Sequence, residues 1–595
     1  MERRNLKRIF VRIIIPFMFL AFFTNCGRRD MEDQKFNTLV NEYLEAFYQA
    51  SPVWATYVGE HKYDHRLDDY SQEAIKEEIV RLSLFKQKLD YIDTLKLNLT
   101  NQADYQILWN GIEDQLLHSL ELKPWENSPV MYTYLIGGSI NSLISRDFAP
   151  LKDRLSSVAS RLKCLPILVQ QAKDNLKNPP EIQTQTAIRQ NLGNINLIKN
   201  DLTKLLEQAP EMKDTLLEPM DRVVKVLESF QAFLEQDLLP QSTGDFRLGR
   251  ELFEKKLKYT LESDLSPEEV VKRAEQELTL VRQRMFQLAQ PLHGQMFPGH
   301  KHGQTGQQLE NQIIKEVLDS IAYDHPAKDE LLTVCRQDLK AQEDFVRQMD
   351  LVDLTGINPL EVDWEPEFAR GIAIAGLDSP GPLDKNQKSF FRVSPIPEDW
   401  TKEQEESYLR EYNSYMLKEL CIHEAMPGHY VQGFYNNKFP SLLRRIFGSG
   451  TFVEGWAMYA ERMMIQAGYL NNDPRMELTQ LKMYLKAIIN AILDNKIHAG
   501  YMTREESVEF MTEEGFQEQS EAEGKWVRAV LTSTQLSTYF VGFQEIMDLE
   551  KAYREKVGDK FSRKEFSQKL LSCGAPPVRV LREIILSENS GLEKR

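Results

Sequence analysis

The run Glu419-Leu420-Cys421-Ile422-His423-Glu424-Ala425-Met426-Pro427-Gly428-His429-Tyr430-Val431-Gln432 contains the residue types that metal-assisted hydrolysis needs. Two imidazoles can ligate a zinc ion, and a glutamate directly after the first can take a proton from an activated water. In the common arrangement H-E-x-x-H the histidines stand four apart on one helix face. Here the spacing is 429 − 423 = 6. Six residues of ideal α-helix advance about 600°, which leaves the rings about 240° apart. Both rings can reach one ion only if the helix departs from ideal, and Pro427 and Gly428 sit where it can. Proline clashes with the carbonyl four residues back, and glycine tolerates unusual backbone angles.

A third ligand is needed, and Thr451-Phe452-Val453-Glu454-Gly455-Trp456-Ala457-Met458-Tyr459-Ala460-Glu461 offers two. Glu454 and Glu461 are seven apart and share a helix face. Two inward carboxylates on an aromatic, apolar helix are costly unless a cation compensates. Two histidines, one carboxylate and a water make a catalytic zinc site, so the cofactor expected is Zn2+. Gln432, three residues after His429, is a candidate outer partner of a ligand. Other histidines do not read as ligands. His61 and His65 stand four apart among charged residues, with no glutamate following, and read as a solvated face. His293, His300 and His302 fall in the Gly- and Pro-containing stretch 291–306 and read as surface residues of a loop. Trp456 and Tyr459 read as core.

The elements that must position these groups are mainly helices. Apolar residues recur at three and four over Phe36–Ala50, Gln72–Leu89, Asp153–Leu176 (with a kink expected at Pro166), Thr184–Gln208, Met220–Leu238 and Pro267–Ala289. Ser266-Pro267-Glu268-Glu269 is a helix start: a cap, a first-turn proline, then acids. Between about Thr355 and Asp399 the pattern changes to Pro, Gly and short β-prone runs, Ala373-Ile374-Ala375 and Phe390-Phe391-Arg392-Val393, which predicts a small sheet. Helix resumes near Thr401. The organisation expected is a signal segment over 1–26, a helical N-terminal lobe over 27–350 and a catalytic lobe over 351–595.

The chain start is a targeting signal. Arg3, Arg4, Lys7, Arg8 and Arg12 precede an apolar stretch, Ile13–Phe23, that is short for a membrane span, and Cys26 follows. This reads as a lipoprotein signal with Cys26 as the lipidated residue, the alternative being an uncleaved N-terminal anchor. Either places the body outside the cytoplasm, on the periplasmic or cell-surface face, tethered to a membrane. The formal net charge of −16 argues against a nucleic-acid partner, since phosphate binding needs a basic face. Cys164, Cys335, Cys421 and Cys573 show no CxxC spacing, and Cys421 reads as core packing.

The motifs H-E-A-x-P-G-H-x-x-Q and E-G-W-A-x-Y-A-E resemble those of the bacterial family catalogued as "domain of unknown function 885". Pro52, Ala55-Thr56, Gly59, Asp64, Leu67 and Asp69 are similar to its N-terminal signature. Thr538-Tyr539-Phe540-Val541-Gly542 and Leu570–Leu581 are similar to its C-terminal pattern. That family is in turn similar to thimet-type oligopeptidases, in which a Phe-Val-Glu segment supplies the third ligand 25 residues after the second histidine. Here 454 − 429 = 25, with Phe452-Val453-Glu454 in place. The resemblance implies a mainly α, bilobed, metallopeptidase-like fold with a deep cleft and a small β-sheet near the active site. It implies His423, His429 and Glu454 as metal ligands, Glu461 orienting a histidine, Glu424 as general base and Tyr539 stabilising the oxyanion. Arg528 is a candidate grip for a substrate carboxylate, against an ordinary ion pair. The function expected is a zinc-dependent hydrolase acting on short peptides. The alternatives are a zinc hydrolase of another amide or ester, and a binding lipoprotein with a relict metal site.

Overall fold

Leucine, isoleucine and valine at intervals of three and four carry most of the described residues into helices, and among these residues a small sheet interrupts them. The computed structural model describes residues 31–587, apart from 366–374, 386 and 399. The signal segment 1–26 and Cys26 lie outside these residues, as do Ala373 and Ile374 of the β-prone run. Among the described residues no helix is long and apolar enough to cross a membrane.

The described residues up to about 240 contribute to two apolar cores. One gathers Phe36, Tyr43, Leu82, Leu89 and Ile112, and is completed from far along the chain by Leu443 and Ile446. The other gathers Ile136, Leu155, Leu162, Leu216, Leu227 and Phe230. The helix Leu151–Asn175 continues through Pro166. The region expected as one helix, Thr184–Gln208, is Glu181–Asn196 and Leu202–Leu206 joined by a wider π turn over Leu197–Asp201. The helix expected from Met220 begins at Lys213, with Pro219 inside it.

The third core runs from Phe253 to Ile585, drawing on both sides of residue 350. Its elements are α1 (Gly249–Leu261), α2 (Pro267–Met296), α3 (Gly306–Ala322) and α4 (Leu331–Gln348), then the sheet, then α5 (Ser414–Glu424), α6 (His429–Lys438), α7 (Gly450–Gln466), α8 (Pro474–His498), α9 (Gln519–Thr532) and α10 (Ser537–Val557). The side chain of Ser266 accepts from Glu269 N at 3.2 Å and caps α2. Beyond Ala289, α2 continues to Met296, because Leu292 and His293 are buried there. The loop expected over 291–306 therefore shrinks to 297–305, and His293 is a helical, buried residue rather than a surface one.

The sheet has three strands, β1 (Glu361–Trp364), β2 (Ala375–Asp378) and β3 (Phe390–Val393), in the order β1-β3-β2. β1 pairs parallel with β3 and β2 antiparallel, so Phe391 faces Val362 on one side and Leu377 on the other. Phe391 and Val393 alternate into the core. This leaves the outer edge of β2 toward α5. Arg444, 1 % exposed, ties segments far apart in sequence together: its guanidinium donates to Asp104 Oδ1, Thr100 O and Cys573 O. Cys164, Cys335, Cys421 and Cys573 are free thiols, and Cys421 is fully buried.

Candidate metal centre

The histidine spacing is resolved by two helices rather than one bent helix. α5 is capped by Asn413, whose side chain accepts from Tyr415 N and Met416 N, and its last turn delivers His423 and Glu424. The chain then leaves the helix at Ala425 and re-enters at His429, which opens α6. Gly428 sits hard against the preceding turn: a Cβ there would lie 1.8 Å from His423 O and 2.4 Å from Ile422 O. Only glycine permits that approach. The bend is held from outside by Trp456 on α7, whose indole N–H faces Pro427 O at 2.9 Å and Gly428 O at 3.2 Å. Trp456 is fully buried, as core packing requires.

With the bend in place the rings meet. Their centroids are 4.8 Å apart and their planes nearly perpendicular. Glu454 Oε2 lies 3.7 Å from His423 Nε2 and 3.5 Å from His429 Nε2. A tetrahedral zinc with bonds of about 2.1 Å separates its donor atoms by about 3.4 Å, so this spacing fits the ion. Glu454 Oε2 is buried without a hydrogen-bond partner among the described residues, which is costly for a carboxylate unless a cation is bound. Burial alone would raise the Glu454 carboxyl, but the two imidazoles hold it well below the usual range. The ligand set, two imidazole nitrogens and one carboxylate, suits Zn2+.

A model of the bacterial proteins of unknown function designated DUF885 matches residues 52–585. The chain belongs to this family. A solved chain from Shewanella oneidensis is 32 % identical, with a TM-score of 0.81, over 93 % of this chain and all of that one. A solved chain from Colwellia psychrerythraea is 18 % identical, with a TM-score of 0.76, over 93 % of this chain and 98 % of that one. Both are described as "putative lipoprotein", the first "of unknown function". No functionally curated protein matches.

Around the three ligand candidates this DUF885 chain places further polar groups. Glu461 is fully buried, and its Oε1 lies 2.6 Å from His423 Nδ1, which turns Nε2 toward Glu454. His429 Nδ1, by contrast, is buried without a partner among the described residues. Burial would lower the His423 imidazole, but Glu454 and Glu461 outweigh it and raise it well above its ordinary value. Glu424 lies at the end of α5, where its Oε2 accepts from Leu377 N of β2 at 3.3 Å. Gln432 is buried on α6.

Tyr539 reaches the same region because α7 and α10 touch backbone to backbone. A Cβ on Gly455 would lie 2.4 Å from Gly542 C, and one on Gly542 would lie 1.9 Å from Thr451 O. That contact puts Tyr539, one turn before Gly542, beside the residue preceding Gly455. Burial and then the Glu454 charge raise the Tyr539 phenol. Arg528 on α9 is exposed and donates to Tyr539 Oη at 3.1 Å and to Gln535 Oε1 at 2.9 Å. The start of α10 is pinned by buried Asp494, which accepts from Thr534 N, Ser537 N and Ser537 Oγ.

Two groups escaped the sequence reading. Glu419, four residues before His423 on the same face of α5, is fully buried, and burial together with the Glu461 charge raises its carboxyl well above the ordinary value. The i, i+4 spacing to His423 was the available signal. Leu377 N–H carried none, because a backbone donor is set by strand position rather than residue type. His61 also departs from expectation. It is half-buried between Asp64 and Asp384, whereas His65 is exposed.

Proposed function

We propose that this protein is a zinc-dependent hydrolase that cleaves short peptides outside the cytoplasm. The observation carrying this reading is the convergence of His423 Nε2, His429 Nε2 and Glu454 Oε2 beside a separate carboxylate, Glu424. A zinc held by those three would lower the pKa of a bound water and polarise a substrate carbonyl. Glu424 takes the water proton and returns it to the leaving amine. Leu377 N–H holds that carboxylate toward the strand edge. The Tyr539 hydroxyl donates to the oxyanion as it develops, and Arg528, already donating to that hydroxyl, steers it and can pair with a substrate carboxylate. Glu461 keeps His423 in the tautomer with its Nε2 lone pair toward the metal. The bilobed fold with a deep cleft belongs to this proposal, as the feature that limits substrates to short, unfolded chains.

Extracytoplasmic placement and a lipid anchor on Cys26 are part of the same proposal. The charged start with its apolar stretch supports them, and so do the two solved relatives described as lipoproteins.

The test is metal content by emission spectroscopy, followed by turnover of a peptide library by wild type and Glu424→Gln. Zinc in both proteins, with cleavage only in wild type, is the expected result. Zinc bound with no cleavage by wild type would overturn the peptidase assignment and leave another amide or ester, or ligand binding, as the role.

A further inference from the structure

We propose that the hairpin between α2 and α3 is a second metal site, a closed zinc staple made by His293, His302 and Glu316 with His300 as the fourth ligand. His293 projects from the last turns of α2, His300 and His302 come from the connecting loop 297–305, and Glu316 comes from α3. His293 Nε2 lies 2.7 Å from Glu316 Oε2, and His302 Nε2 lies 3.6 Å from the same oxygen. The two Nε2 atoms are 3.4 Å apart. His300 Nε2 approaches the other oxygen, Glu316 Oε1, at 4.0 Å.

Three imidazole nitrogens aimed at one carboxylate form an inefficient hydrogen-bond set. A neutral histidine carries one N–H, and at 2.7 Å the His293 Nε2–H donates to Glu316 Oε2, so His302 Nε2 either sets its own proton against that N–H or turns its lone pair toward the carboxylate. A cation between them satisfies every lone pair at once. The His302–His293 and His302–Glu316 spacings are near the donor separation of about 3.4 Å set by tetrahedral zinc. Only the 2.7 Å pair is tighter, as a direct hydrogen bond would be without an ion. The cluster is also partly dry: His293 is 7 % exposed, and the side chains of His302 and Glu316 are 9 % and 20 % exposed. Gln312, one turn before Glu316, donates to Glu316 Oε1 at 2.6 Å and fixes the carboxylate's orientation, as outer partners do at metal sites.

Four protein ligands close a zinc site and leave no place for water or substrate, which is the signature of a structural rather than a catalytic ion. Its effect is mechanical. It ties the end of α2 to α3, and α2 lies along α8, the helix whose Asp494 pins the start of α10. None of the four residues belongs to the centre at His423, so this inference stands whether or not the chain is a peptidase.

The experiment strips metal from the full chain with a chelator, restores Zn2+, and counts bound ions per chain in wild type, His302→Ala and Glu316→Gln. Each variant should hold one ion fewer than wild type, and Zn2+ should raise the melting temperature of wild type by several degrees more than that of either variant. Variants that bind as many ions as wild type, with the same thermal shift, overturn the proposal. Wild type itself supplies a readout that does not depend on variant folding. Covalent modification of His293, His300 and His302 by an imidazole acylating reagent should fall severalfold on adding Zn2+. Unchanged modification also overturns it. Loss of the ion at His423 would change neither outcome.

Discussion

The His423 cluster and the His293 cluster use the same side chains and are assembled in different ways. In the first, the candidate ligands come from three helices of the largest core, α5, α6 and α7, and the imidazole of His423 is backed by a buried carboxylate, Glu461, with buried Glu419 beyond it. A further carboxylate, Glu424, directly follows His423 and accepts from Leu377 N. In the second, two of the four candidate ligands come from one short loop, and the orienting partner is the amide of Gln312. A catalytic centre needs a vacant position, a base and a rigid frame, whereas a staple needs only a full set of ligands. The contrast suggests that it is the residues beyond the ligands, more than the ligands themselves, that separate chemistry from mechanical support.

The comparison breaks most visibly on Glu424. Glu424→Gln should lower peptide turnover on the order of 10³-fold while leaving the bound ions unchanged, because a general base contributes about 10²–10⁴-fold. His302→Ala should leave turnover within about twofold, since the hairpin has no part in proton transfer. Steady-state rates paired with metal counts check both. Equal losses from the two substitutions would end the distinction between the centres.

Backbone rigidity comes next. Gly428→Ala would drive a methyl group into His423 O, and should destabilise the fold on the order of 3 kcal/mol by denaturant unfolding, releasing the ion at His423. Gly303 in the hairpin loop has nothing within 4 Å of a Cβ position, so Gly303→Ala should cost less than about 0.5 kcal/mol. A mild Gly428→Ala would mean that the break between α5 and α6 can relax.

Glu461→Gln should weaken zinc affinity at the first centre by about 10- to 100-fold, the usual effect of removing a carboxylate behind a ligating histidine. Gln312→Ala should weaken the hairpin ion less, because a neutral amide polarises its partner less than a carboxylate does. Competition with a zinc-binding dye measures both.

Much of this was legible in the residues. The β-prone run Phe390–Val393 is β3, Ser266 caps α2, and Pro427-Gly428 marks the break that lets rings six apart share a neighbourhood. Residue types and local spacing set those features. What was not legible depends on long-range packing. α2 outruns its apparent end at Ala289 because Leu292 and His293 find burial against distant segments. The π turn after Asn196 has no local sequence mark. His300 and His302 do lie in the loop, with His300 exposed, but their approach to Glu316 was not legible because Glu316 is on the next helix, where periodicity gives a carboxylate no special meaning. β1 was missed because Glu361-Val362-Asp363-Trp364 is half charged and becomes a strand by pairing with β3.

The smallest effect belongs to a third histidine–acid cluster, which shows what a set without a metal looks like. His61 stacks on Phe148, with ring centroids 3.8 Å apart, and uses both nitrogens: Nδ1 lies 3.1 Å from Asp64 Oδ2 and Nε2 lies 2.9 Å from Asp384 Oδ1. An imidazole that donates from both nitrogens is protonated and has no lone pair for an ion. Burial pulls the His61 pKa down, but the hydrogen bonds to Asp384 and Asp64 outweigh it and lift it to about 9. The unfolded value is about 6.5, so between these values the folded chain holds a proton that the unfolded chain has released. This stabilisation is fully present below about pH 6.5 and is lost as pH rises through about 9. Solvent screening keeps it small, since the side chain is 30 % exposed. Asp384→Asn should therefore lower the denaturation midpoint more at about pH 6 than at about pH 10. It should leave the zinc count untouched. A pH-independent gap would show that His61 is neutral, with a nitrogen open to metal. The rule separating the three clusters, several imidazoles converging on one point for an ion and a single imidazole held between two acids for a proton, would then fail at its simplest case.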